Sequence, residues 1–203
     1  GNTFIIGGGG LIHHQFSPLI EKIIHGNPKH VILWGIGTNY YLKRKDKTYP
    51  DWIDKCSLIG LRDKDSDHYL PCVSCMHSAF DKTYKIKHNI VFYTHRAKSN
   101  FYRTEMPNMN NAERNFNKVI EFLGSGKTVV TDSYHGAYWA MLLGRNVQVK
   151  AWSTKFLTLK HTPIMLEDIN SPVNEICSLD SNYLTECRDL NNQFYQKALP
   201  LLN

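Results

Sequence analysis

His135 stands in the run Val130-Thr131-Asp132-Ser133-Tyr134-His135-Gly136, between a short β-branched stretch and a run of good helix formers at 137–143 that Gly144 closes. This spacing predicts a strand, a loop carrying Asp132, Ser133, Tyr134 and His135, then a helix. An imidazole there can serve as acid, base or phosphate donor. In open α/β sheets ligands bind outside the carboxyl ends of strands, where the first N–H groups of the next helix favour an anion. Asp132 either orients the imidazole or caps the helix, and Gly136 lets a ligand approach the backbone closely. Arg62, in Ile59-Gly60-Leu61-Arg62-Asp63, again follows a strand. Its guanidinium can fork onto a carboxylate or phosphate, or pair with Asp63 or Asp65.

Other residues offer less specific chemistry. Gly8, Gly9 and Gly10 lie in a four-glycine run that lacks the spacing of a dinucleotide fingerprint or P-loop, so they border either a substrate or a tight packing turn. His13 and His14 follow within reach of the same place. Two basic loops, one carrying His95, Arg96 and Lys98 and one carrying Lys150 and Lys155, are expected after strands of a second unit. They either take the anionic end of a substrate or are ordinary solvated surface. Tyr134, Trp139 and Trp152 nearby stack on a ligand or fill the core. Cys72 and Cys75 have no second ligand pair at zinc spacing, since Cys177 and Cys187 are ten positions apart with no histidine between them; no metal or other cofactor is expected.

The elements that must position these groups are legible as alternation. Strands are expected at 3–6, 30–34, 57–61, 89–93, around Val129 and Val130, and at 146–151. Between them come a helix opened by Ser17 and Pro18 and closed by Gly26, a helix at 112–123 with a stripe of Phe116, Val119, Ile120 and Leu123, and a last helix presenting Cys187, Leu190, Phe194 and Ala198 on one face. This is an α/β chain with mostly parallel sheets joined by right-handed crossovers. The basic, polar stretch at 82–88 predicts a boundary, giving units at 1–86 and 87–203 with a cleft between them.

Composition narrows the partners. At 203 residues and 42% hydrophobic, the chain can bury one generous core or two small ones. Its 24 Lys and Arg against 18 Asp and Glu leave +6, which suits anionic ligands. That charge is scattered and no recognition motif accompanies it, so nucleic acid is not the expected partner. Five irregularly spaced cysteines point to a reducing, cytoplasmic setting. No apolar run reaches a membrane-spanning length and no secretory leader is read, while peripheral contact with acidic lipid stays open.

Four segments in this order resemble the polysaccharide pyruvyltransferase family: Ile5-Ile6-Gly7-Gly8-Gly9-Gly10-Leu11, Ile59-Gly60-Leu61-Arg62-Asp63-Lys64-Asp65-Ser66, Leu70-Pro71-Cys72-Val73-Ser74-Cys75-Met76-His77, and Val130 to Gly136. The resemblance implies two Rossmann-like units similar to the glycosyltransferase B type, the first truncated before the glycine loop. It implies phosphoenolpyruvate as donor and, as acceptor, a sugar of a surface glycan or sugar-lipid precursor such as an exopolysaccharide. Arg62 then matches the arginine that contacts the donor, and His135 the histidine of the family's Arg-Leu-His-Gly motif. Ser133 stands where that motif has its arginine, so Arg96, Lys98 or Lys155 would have to supply the missing charge. The alternatives are a nucleotide-sugar-dependent glycosyltransferase and a non-catalytic glycan-binding relative.

Overall fold

The computed structural model describes residues 1–40, 42, 49–176 and 181–202; Cys177 lies outside them. In chain order the elements are β1 (Thr3–Gly7), α1 (Ser17–His25), β2 (His30–Ile36), β3 (Leu58–Leu61), β4 (His88–Thr94), β5 (Asn108–Asn110), α2 (Phe116–Gly124), β6 (Gly126–Thr131), α3 (Tyr134–Leu142), β7 (Asn146–Val149), β8 (Ile164–Met165) and α4 (Tyr183–Leu202), with four short 3-10 turns among them. The strands form two sheets of order β1-β2-β3 and β5-β4-β6-β7-β8. Every named strand pair is parallel, which bears out the α/β class. Among the described residues no helix is long and apolar enough to cross a membrane.

Contacts divide the chain into two units. The first is Gly1–Ser74 with Ser153–Lys160 and Thr185–Asn203, and the second is Cys75–Trp152 with His161–Leu184. The boundary expected at 86/87 thus falls at 74/75, and most of the last helix joins the first unit. The basic stretch is no linker, because its one large ring is tied to the second unit. A Cβ on Gly124 would lie 2.6 Å from Tyr84 Cβ, and Arg145 donates to the carbonyls of Tyr84 and Gly124, both at 2.8 Å.

In the first unit β2 is central and apolar throughout, as a strand covered on both faces must be. Val31, Leu33 and Ile36 pack with Ile20 of α1 and with Trp52 and Ile53, while Ile32 and Trp34 face Phe194 and Ala198 of α4. α4 docks closely because residue 60 is glycine; a Cβ there would lie 2.4 Å from Leu70 Cδ2 and 2.9 Å from Phe194 Cε2. The buried amide of Asn191 fixes its register, accepting from Trp34 Nε1 at 2.8 Å and donating to the Pro71 carbonyl at 3.2 Å. The expected stripe is therefore real: Cys187, Phe194 and Ala198 are all buried.

In the second unit Phe92 and Val130 pack with Leu166 and Ile169. The stripe of α2 buries Val119, Ile120 and Leu123, and α2 and α3 pack on each other and on β6. From β4 the chain first adds β5 on one side, then crosses back through α2 to add β6 on the other. The strand order therefore reverses between β4 and β6, the place where open parallel sheets leave a crevice at their carboxyl ends.

Truncating Phe194 to Ala should cost about 3–5 kcal/mol, since it removes a large ring from between two elements. The same change at its exposed neighbour Tyr195 should stay within about 0.5 kcal/mol. Urea denaturation of both variants checks the docking, and equal losses would contradict it.

Candidate functional site

Three adjacent parallel strands, β5, β4 and β6, deliver their carboxyl ends to one pocket of about 220 Å³ in the second unit. Tyr93 comes from the end of β4, Asn111, Glu113 and Arg114 from the segment after β5, and Ser133 and His135 from the junction after β6. Phe116, Val119 and Trp139 supply the apolar wall. The convergence has a local cause. The Thr131 hydroxyl donates to the Tyr93 carbonyl and accepts from Ser133 N–H at 3.0 Å, locking the exit of β6 to β4.

The helix after β6 begins earlier than its sequence suggests. Ser133 is its N-cap, its Oγ accepting from Gly136 N–H at 3.4 Å, so Tyr134 and His135 occupy the first turn of α3 rather than a loop. Asp132 does not cap it. Its Oδ1 accepts from His95 N–H at 2.6 Å, so this carboxylate bridges the exits of β4 and β6. The expected role of Gly136 changes too. It is buried, and a Cβ there would lie 2.5 Å from Tyr93 Cδ1 and 2.6 Å from Thr131 Oγ1, so its bare Cα serves close helix–strand packing. Tyr134 is buried, its ring edge-on to His135 at 5.6 Å.

His135 is half-buried and stacks on Trp139, one helical turn onward, with centroids 5.0 Å apart and planes at 28°. Phe116 meets Trp139 edge-on at 5.0 Å, so the imidazole rests against a fixed aromatic wall. Behind the β4 exit, His95 Nδ1 accepts from Ala97 N–H at 3.2 Å and its ring stands edge-on to Trp152 at 5.6 Å. Trp152 Nε1 donates to the Asp132 carbonyl at 2.8 Å, and Lys98 Nζ lies 6.0 Å from the centre of that indole. Arg96 is exposed, its N–H donating to Asn111 Oδ1 at 2.9 Å.

The remaining candidates belong to the first unit. Gly8 and Gly9 have φ of +71° and +77°, a backbone that favours glycine. Space beyond Gly8 is open, but a Cβ on Gly10 would lie 2.6 Å from Asn39 Cβ and 3.1 Å from Arg62 Nη2. Gly37 is similarly pressed, with Arg62 Nε and Asp63 Oδ1 each 2.8 Å from where its Cβ would be. The glycines at 10 and 37 thus make room for Arg62, which is 2% exposed and packed inside its own unit. Neighbouring Asp63 accepts from Thr38 N–H at 2.9 Å and from the Tyr49 hydroxyl at 3.2 Å, and burial together with that carboxylate raises the Tyr49 phenol above its ordinary value. Burial and the adjacent His14 ring, 3.9 Å away, hold His13 below the usual histidine value.

Lys155, expected among the second unit's loops, lies in the first, because its segment is tied there. Thr154 N–H donates to the Tyr40 carbonyl at 2.8 Å, Tyr40 N–H to Thr154 Oγ1 at 3.0 Å, and Lys64 N–H to the Thr158 carbonyl at 3.1 Å. Lys155 Nζ sits 5.3 Å from the centre of the Phe156 ring. Tyr93, Asn111, Glu113 and Arg114 are pocket residues that the sequence reading does not single out, and Arg114 is the cation among them. It was placed inside a helix starting at 112, whereas α2 starts at Phe116 behind the cap of Asn115, whose side chain accepts from Lys118 N–H at 3.1 Å. The cue was that asparagine.

Burial pushes the Asp132 carboxyl above its ordinary value, against the opposing pull of the His95 N–H and the Ser99 hydroxyl. A raised folded-state pKa stabilises fully below the unfolded value and is lost as pH rises through the folded one. Asparagine keeps the acceptor and cannot ionise. The melting temperature of Asp132→Asn minus that of the parent should therefore grow more positive from pH 4 to pH 7; a flat difference would show that the carboxyl is not so perturbed.

No family model, curated protein or solved structure matches this chain.

Proposed function

We propose that this chain is a polysaccharide pyruvyltransferase-like enzyme, which takes phosphoenolpyruvate as donor and forms a pyruvate ketal on two hydroxyls of a sugar. The observation that carries the proposal is the pocket at the carboxyl ends of β5, β4 and β6. It combines an imidazole, a guanidinium and an aromatic wall in about 220 Å³. That is below the roughly 300–1,000 Å³ of pockets built for drug-sized ligands, and it suits a small anion better than a nucleotide sugar. The likeness of the four sequence segments to pyruvyltransferases supports the same assignment.

The chemistry asks little of the protein beyond placed charge and protons. A proton added to the methylene carbon of phosphoenolpyruvate leaves an oxocarbenium-like centre at C2. A sugar hydroxyl attacks that centre and gives up its proton. Phosphate departs with the C2–O bonding pair, and a second hydroxyl closes the ketal, its proton passing to the phosphate or solvent. In this scheme His135 carries the proton, and cations of the pocket balance the phosphate. The wall of Trp139 and Phe116 supports the imidazole from one side. Arg62 is left out of direct donor contact, in keeping with its burial. The acceptor is a sugar of a surface glycan or its lipid-linked precursor, and the setting is cytoplasmic.

Phosphate release from phosphoenolpyruvate with galactoside or mannosaminide acceptors tests the assignment. His135→Ala should lower kcat/KM by about 10²–10⁴-fold, the usual contribution of a positioned acid–base group. Release at the parental rate in that variant removes His135 from the chemistry. Stabilisation by nucleoside diphosphates but not by phosphoenolpyruvate would point instead to glycosyl transfer.

A further inference from the structure

We infer that Arg114 is the residue that holds the phosphate of the donor, taking the place of the cations on the loops after β4 and β7. This rests on the proposed donor site and names its anion subsite. The pocket is lined by three residues able to carry charge, Glu113, Arg114 and His135. Glu113 is neutralised where it stands. Its Oε2 accepts from Lys118 Nζ at 2.8 Å and its Oε1 from Asn115 N–H at 3.0 Å. The Lys118 hydrogen bond keeps that carboxyl below its ordinary value, so Glu113 remains an anion with its charge committed to a lysine.

Arg114 differs from Glu113. Its guanidinium is exposed and forms no ion pair among the described residues, although its own neighbour in the chain is acidic. Glu113 is committed to Lys118, and Arg114 beside it in the chain lines the pocket. A planar fork suits a phosphate, to which it can donate two parallel hydrogen bonds. Ser133 on the opposite side offers only a neutral hydroxyl that already caps α3. Of the cations the sequence proposed, Arg96 and Lys98 do not line this pocket, Lys98 leaning instead over Trp152, and Lys155 belongs to the other unit. The charge that Ser133 lacks is therefore restored from the segment after β5, the preceding strand in the chain and two places away in the sheet.

Calorimetric titration of the full chain with phosphoenolpyruvate and, separately, with inorganic phosphate tests this at low salt. Arg114→Ala should weaken phosphoenolpyruvate binding at least about tenfold, the loss expected for a hydrogen-bonded charge. Arg114→Lys should recover part of it, since a point charge replaces the fork. Lys118→Ala, which leaves Glu113 uncompensated beside the subsite, should weaken binding about threefold, a small effect because that carboxylate is exposed to screening. Arg96→Ala and Lys155→Ala should bind as the parent does. Because Arg114 is exposed, its variants should melt with the parent, which separates lost binding from lost folding. If Arg114→Ala binds as tightly as the parent while His135→Ala does not bind, Arg114 is not the phosphate residue and the pocket assignment survives. If loss follows Arg96 or Lys155 instead, the inference is overturned in the same way. If the parent binds neither probe, the donor assignment falls together with it.

Discussion

The first turn of α3 presses against Tyr93 at the end of β4, and it does so because residue 136 has no side chain: any Cβ there would stand 2.5 Å from the tyrosine ring and 2.6 Å from the Thr131 hydroxyl. The same hydroxyl ties the β6 exit to the Tyr93 carbonyl. These two contacts fix where His135 emerges. Overpacking of this kind costs typically about 1–3 kcal/mol, comparable to a large part of what a domain has in reserve. The position of the imidazole is thus set by helix–strand packing, and only Asp132 and Ser133 intervene between strand and helix.

Around that fixed point the charges are distributed by burial. Asp132 turns inward and binds the His95 N–H, which ties the exits of β4 and β6 together and withdraws one carboxylate from the pocket. Glu113 is withdrawn by Lys118. A pocket bordered by acidic residues therefore keeps a cationic and imidazole character, with Trp139 as its wall. The first unit follows a different plan. There the glycines at 10 and 37 enclose a cation, and Arg62 and Asp63 hold three loops together from inside.

Much of this was legible in the chain. The strands β1 to β4, β6 and β7, the Gly26 stop and the stripe of α4 all follow from apolar runs, periodicity and punctuation, and burial on both faces explains the continuous apolar run of the central β2. What escaped has identifiable causes. β5 reads Asn-Met-Asn and is held as a strand only by its register with Phe92 to Thr94. α3 begins at Tyr134 because Ser133 caps it, although Tyr and His are poor helix formers. α2 begins late because Asn115 caps it. Those two caps decide that His135 belongs to a helix and Arg114 to a loop, so errors of three or four residues in helix starts concealed the composition of the pocket. Charge at 82–88 reads as a linker, whereas Tyr84 anchors that stretch to the second unit and the boundary lies before it. That the glycine run packs against Arg62 is a tertiary fact that neither segment reveals by itself.

The most direct test is a crystal structure of the protein soaked with phosphoenolpyruvate. The account predicts ordered density in the pocket of the second unit, with phosphate oxygens within hydrogen-bonding distance of Arg114 and the methylene carbon turned toward His135. Density elsewhere on the molecule with that pocket empty, or a ligand whose phosphate faces away from Arg114, would contradict it.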